Sequence, residues 1–192
     1  MCSKKLAKFA ILVLLALLLL CYGVGNVQCV RENSTDLHSL LEFKQGVTSD
    51  PNKVLNSWKT KIHYCRWSGV TCTPTRPWRV MRLNLTGQSL AGEIAPSLAN
   101  LTLLSVLDLS SNRFFGQLPP LGRLQLLETI YLNDNSLNGT IPDALTNCSK
   151  LINLDLRKNQ LSGTIPPQID SLSNLEYLDL TDNNLTGTIP PT

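Results

Sequence analysis

Histidine is scarce in this chain: two in 192 residues. Neither His38, inside a helical pattern, nor His63, beside a cysteine, belongs to a nucleophile motif. No Gly-rich phosphate loop occurs. These absences leave no catalytic constellation, no metal site and no cofactor-binding motif, and they argue against an enzyme. Long apolar runs are equally few. One, from Phe9 to Leu20, follows Lys4, Lys5 and Lys8, and no second run appears downstream. A basic start before about a dozen apolar residues describes a secretory signal peptide, whereas a membrane span needs about 20. Residues 1–29 are therefore assigned to a leader cleaved near Gly25 or Cys29, and no membrane span is expected in the mature chain.

Acidic residues are missing from residues 51–82, which hold Lys53, Lys59, Lys61, Arg66, Arg76, Arg79 and Arg82. The formal charge of +3 comes from the leader, since residues 30–192 carry 14 basic against 14 acidic side chains. This local basic run suits an acidic cell-wall polysaccharide or another anionic partner. Nucleic acid is not an expected target of an exported protein.

Cysteine usage fits the exported compartment. Cys2 and Cys21 belong to the leader. Cys65 and Cys72 enclose a short loop, and a bridge between them would add roughly 2–3 kcal/mol by restricting the unfolded chain. Zinc is the rival reading, with two ligands and one nearby His. Cys148 takes the position of Leu101, Leu124 and Leu172, which suggests a buried apolar role. Asn33, Asn84, Asn100, Asn138, Asn147 and Asn184 all begin Asn-x-Ser/Thr acceptors. Asn84 and Asn184 are placed on or beside the binding face, where a glycan would obstruct it.

The second half of the chain repeats itself. Leu107-Asp-Leu-Ser-Ser-Asn112, Leu154-Asp-Leu-Arg-Lys-Asn159 and Leu178-Asp-Leu-Thr-Asp-Asn183 are the fullest copies, with others starting at Leu83 and Ile130. The starts lie 24, 23, 24 and 24 residues apart. This is the leucine-rich-repeat signature, and it predicts a right-handed α/β solenoid of stacked coils with short parallel strands on the concave face. Leu107 and Leu109 face inward, so Asp108 and Ser110 face outward. The column Asn112, Asn135, Asn159 and Asn183 is read as structural, its amides satisfying backbone groups of neighbouring coils. Gln88 stands in that column in the first repeat. The Asp residues of Leu-Asp-Leu (Asp108, Asp155, Asp179) are read as a solvated structural column. After Asn135, Asn159 and Asn183 comes Leu-x-Gly-x-Ile-Pro, while the first repeat has Ala95 after Ile94 and the second has Leu118-Pro119. The proline is expected to block ladder hydrogen bonds on the convex side.

Between leader and repeats the period changes. Leu37, Leu40, Leu41, Lys44 and Val47 share a helical face with Phe43 at its border, and Ser34, Thr35 or Asp36 can cap the start. Val54, Leu55 and Trp58 suggest a second short helix. Residues 30–78 are read as an amino-terminal cap and 79–192 as five repeats, the last incomplete. Leu178, Leu180, Leu185 and Ile189 are expected to line an open end.

The repeats resemble the plant-specific class of leucine-rich repeats. The series Asp36, Leu40, Leu41, Phe43, Lys44, Asp50-Pro51, Leu55, Ser57-Trp58, Cys65, Trp67, Gly69-Val70 and Cys72 resembles the disulfide-bonded cap of plant leucine-rich-repeat receptor-like kinases, grass disease-resistance type. That resemblance implies a receptor ectodomain in surface perception or defence, truncated or soluble here, with a protein or peptide ligand or a larger receptor as partner. It also implies a location that is secreted or, if the chain is a fragment, at the cell surface as part of a plasma-membrane receptor. Two further readings are a secreted inhibitor of an extracellular cell-wall-degrading enzyme and a co-receptor or scaffold. For any of them the candidate contact residues are Arg82, Arg113, Tyr131, Asn133, Arg157, Lys158, Tyr177 and Asp182, because aromatic and Arg anchors carry most interface energy.

Overall fold

The computed structural model describes residues 34–190, so the leader and Asn33 lie outside the described residues. Helix α1 (Ser34–Gly46) leads into β1 (Val47–Ser49) and two single-turn 3-10 helices, Val54–Ser57 and Tyr64–Arg66. Then come β2 (Val70–Cys72) and the five coils. Each coil opens with a strand at its Leu-x-Leu segment: β3 (Val80–Asn84), β5 (Val106–Asp108), β7 (Thr129–Tyr131), β9 (Asn153–Asp155) and β11 (Tyr177–Asp179). These strands are parallel and in register, with Leu83, Leu107, Ile130, Leu154 and Leu178 stacked as partners. Side chains alternate across a strand, so one face packs inward. Leu83, Leu85, Leu107, Leu109, Ile130, Leu132, Leu154 and Leu156 accordingly form the buried interior. Strand β2 completes this sheet antiparallel to β3, giving the order β11-β9-β7-β5-β3-β2.

A second sheet lies opposite, which the sequence reading did not expect. It runs β1-β4-β6-β8-β10-β12 through β4 (Ala91–Glu93), β6 (Arg113–Gln117), β8 (Ser136–Gly139), β10 (Gln160–Gly163) and β12 (Asn184–Leu185). The physical reason is the stacking itself. Coils spaced about 4.8 Å apart on one side stay within ladder distance on the other. Pro142 and Pro166 fall after β8 and β10, so proline ends these strands instead of preventing them.

The Asn column ties the two sheets together. Asn159 donates through Nδ2 to the carbonyls of Leu132, Leu156 and Arg157 at 3.0, 3.0 and 3.2 Å. Its Oδ1 accepts from the Leu137 N–H at 3.0 Å. Asn112, Asn135 and Asn183 repeat the acceptor role toward Leu90, Phe114 and Leu161. One amide thus links its own turn to the coil before it. Gln88 instead donates to the Thr86 carbonyl within its own coil.

In the cap the buried face of α1 is rotated from expectation. Asp36, Ser39, Leu40 and Phe43 are buried, Leu37 and Leu41 are half-buried, and Val47 belongs to β1. Asp36 turns inward, where its carboxylate meets Arg79. Lys44 donates its Nζ to the Trp58 carbonyl at 2.8 Å. Phe43 packs on Trp58 and on Phe114 of β6, with ring centroids 6.0 and 5.8 Å apart. Trp58 stacks on Trp67 at 5.2 Å. These rings give the solenoid end an apolar cover. Gly92, at φ 146, sits where β1 crosses β4, and a Cβ there would strike the Gly46 carbonyl oxygen. Cys65 and Cys72 form a disulfide across the Tyr64–Arg66 turn, which removes the zinc reading. At the far end Leu178 and Ile189 are exposed, while Leu180 and Leu185 are half-buried. Among the described residues no helix is long and apolar enough to cross a membrane.

Candidate ligand-binding face

The outer surface of the parallel sheet is shaped by one recurring turn. Asp108, Asp155 and Asp179 each accept, through Oδ1, the N–H two residues on: Ser110 at 3.1 Å, Arg157 at 3.1 Å and Thr181 at 3.0 Å. Asn84 does the same for Thr86 at 3.1 Å. Such Asx turns end the strand. Three residues after the Asx position the chain enters the left-handed region, at Gly87, Ser111, Asp134, Lys158 and Asp182, the same register position in every coil. This twist starts the Asn turn and fixes where the edge side chains point. The Asp column is therefore structural, but not uniformly solvated as expected. Asp155 is buried, because Tyr131 precedes it and Tyr177 follows it in the stacked coils.

Those neighbours form a shallow hollow of about 270 Å³ lined by Tyr131, Asn133, Asn153, Asp155, Arg157 and Tyr177. Four candidate residues, Tyr131, Asn133, Arg157 and Tyr177, meet here. Register explains it, since Tyr131 pairs with Asp155 and Asn153 with both Thr129 and Tyr177. Asn133 is more buried than an outward position suggested, and its amide donates to Asp134 Oδ2 at 2.8 Å. Arg157 lies between Asp155 and Asp179, its Nε 3.6 Å from one and its Nη1 3.9 Å from the other. Its buried Nε has no hydrogen-bond partner among the described residues. Tyr177 donates its hydroxyl to Asp179 Oδ2 at 3.2 Å. Burial pushes the Asp155 carboxyl above its ordinary value, whereas hydrogen bonds from Thr181 hold Asp179 below it.

The remaining candidates lie elsewhere. Arg82 is exposed on β3, toward the cap. Lys158 pairs with Asp134 at 3.3 Å, and Asp182 occupies the matching turn one coil on. Arg113 begins β6 and so belongs to the opposite sheet, apart from the hollow. Asn184 begins β12, also on the opposite sheet, which corrects its placement beside the binding face. Asn84 does lie on the concave sheet, its amide donating to Asp108 Oδ2 at 3.2 Å. Asn138 and Asn147 are exposed, and Asn100 is half-buried. Cys148 is buried, with Sγ 3.5 Å from the Leu121 carbonyl. Asn153 and Asp155 were absent from the candidate set. Counting one repeat on from Tyr131 would have found them.

The basic run is only partly free. Arg79 is committed to Asp36, and Arg76 stacks over the Trp78 ring at 4.5 Å from its centroid. Lys61 and Arg66 border a larger hollow of about 710 Å³ beside β2.

Comparison with known proteins agrees with this architecture. Residues 33–73 match the leucine rich repeat N-terminal domain family, and residues 103–123 and 123–185 match leucine rich repeat families. The chain is 40% identical over 147 residues to the LRR receptor-like serine/threonine-protein kinase GSO2 of Arabidopsis thaliana, covering 74% of this chain and 11% of that protein. It thus spans about a tenth of the length of such curated relatives. Among solved structures, the BIR2 ectodomain from Arabidopsis thaliana superposes with a TM-score of 0.75 at 37% identity, covering 81% of this chain and 83% of that one. The ectodomain of GASSHO1/SCHENGEN3 from the same plant, in complex with CASPARIAN STRIP INTEGRITY FACTOR 2, gives 0.64 at 34% identity, covering 81% and 22%.

Proposed function

Because the chain belongs to the leucine-rich-repeat ectodomains of plant receptor-like kinases, we propose that it recognises an extended peptide or protein segment at the outer cell surface. The role is binding, not catalysis. The hollow between Tyr131 and Tyr177 is the anchor point, and the observation that carries this is the meeting of two tyrosines from diagonal positions of the sheet with two amides and a shared Asp155–Arg157 pair. Aromatic and Arg side chains dominate interface energies, and a concave site concentrates them. The related ectodomain solved with CASPARIAN STRIP INTEGRITY FACTOR 2 supports a partner-binding role. The five parallel strands of this sheet, at about 4.8 Å each, span roughly 24 Å, crossed by about seven extended residues.

A phage-displayed heptapeptide library selected on the full chain tests this. Selected peptides should bind the double variant Tyr131→Ala, Tyr177→Ala at least about tenfold more weakly, as expected for lost aromatic anchors. Equal binding by that variant, with its thermal unfolding unchanged, would place the ligand elsewhere.

A further inference from the structure

Strand β2 ends the concave sheet, bonded to β3 on one side. The 710 Å³ hollow lies against it and is lined by Lys61, Arg66, Trp78 and all four of residues 70–73. Successive residues of a strand point to opposite faces. The hollow touches Val70, Thr71 and Cys72 in turn and so follows the outer edge of β2, where the Val70 N–H is held by the Trp67 carbonyl at 3.1 Å and the remaining backbone groups are presented.

The chemistry of that edge has one sign. Residues 51–82 contain no Asp or Glu. Of the basic side chains there, Arg79 is neutralised by Asp36, whereas among the described residues neither Lys61 nor Arg66 pairs with a carboxylate. Both are exposed. Asp50, just before the run, is occupied in accepting the N–H groups of Val54 and Leu55. Apolar surface lies alongside, from Ile62, 39% exposed, and half-buried Trp78. Lysines at a sheet edge keep two copies of that edge apart. The same charge attracts a strand of opposite sign.

We propose that the edge of β2 docks an acidic, extended segment of a partner protein as one further strand of the concave sheet, with apolar residues alternating toward Ile62 and Trp78. Main-chain hydrogen bonds give such strand addition its affinity, and alternate side chains give it specificity. The rim charges steer the encounter. This site is independent of the tyrosine-flanked hollow.

The probe is a fluorescent octapeptide alternating Glu and Val, titrated against the full chain by anisotropy at low salt. It should bind, and its Lys/Val counterpart should not. The double variant Lys61→Glu, Arg66→Glu should weaken binding by about tenfold, the effect of two exposed charge pairs. The control Lys150→Glu, a charge reversal at a distant exposed site, should leave it unchanged. Methylating alternate backbone nitrogens of the probe should abolish binding, because strand addition needs those donors. The proposal is overturned if the N-methylated peptide binds as well, if Lys150→Glu weakens binding as much as the cap variant, or if a galacturonate oligomer of equal charge binds as tightly. Any of these would leave a general anion-attracting surface.

Discussion

Asp36 and Arg79 form a two-pronged ion pair, Nε to Oδ2 at 2.9 Å and Nη2 to Oδ1 at 2.8 Å, across 43 residues. The Val80 N–H donates to the same Oδ2 at 2.9 Å. The Asp36 side chain is fully buried. One carboxylate thus fastens the cap helix to the first strand of the solenoid. The Asp36 pairing and the desolvation opposing it leave Arg79 held above its ordinary value.

Breaking a buried pair strands the remaining charge, which costs about 3–5 kcal/mol. Asp36→Ala should lower unfolding free energy by that order in urea titration. A loss below about 1 kcal/mol, typical of an exposed pair, would contradict the geometry.

The Asn column should be graded by burial. Asn159→Ala removes one donor from each of three carbonyls, which keep a second one, and leaves the buried Leu137 N–H without its partner, so it should cost about 1–3 kcal/mol. Asn183→Ala, in the more exposed fifth coil, should cost less. The reverse order in chemical denaturation would show that the ladder is not acting through buried hydrogen bonds.

The left-handed residues offer a stabilising change. Ser111 is exposed with φ 54. An L-residue there is strained, and glycine is not, so Ser111→Gly should gain about 0.5–1 kcal/mol despite the greater freedom of the unfolded chain. The first coil already carries Gly87 at this position. Differential scanning calorimetry reads the change directly.

Stability should carry an acid limb from Asp134. The Asn133 amide, and after it Lys158, hold this carboxyl below its ordinary value against the opposing effect of burial. Above the unfolded-state value the contribution is complete; it disappears as pH falls through the depressed folded-state value. Asp134→Asn should therefore flatten the fall in melting temperature between about pH 5 and pH 3. An unchanged slope would remove Asp134 from the account.

Cys148 should be inert while the chain is folded. It is fully buried, and burial pushes its thiol up to about 11. Reactivity requires the thiolate and access to it. Iodoacetamide at pH 8 should spare Cys148 in the native protein and label it after denaturation, as peptide mapping would reveal. Native labelling would mean that the third coil opens.

Sequence alone determined the period, the inward leucines, the Asn column and the fold class. Each is written locally and then repeated, so one coil's pattern predicts the next. The tyrosines were also legible, as outward residues at strand positions. Tertiary structure decided the second sheet, because ladder bonds on the far side arise from stacking distance and not from any local motif. It decided the inward turn of Asp36, whose partner lies 43 residues away. It also decided the burial of Asp155, which depends on what the coils above and below place beside it. A pattern read along the chain cannot show contacts made across it, and the two candidate binding surfaces are built from those contacts.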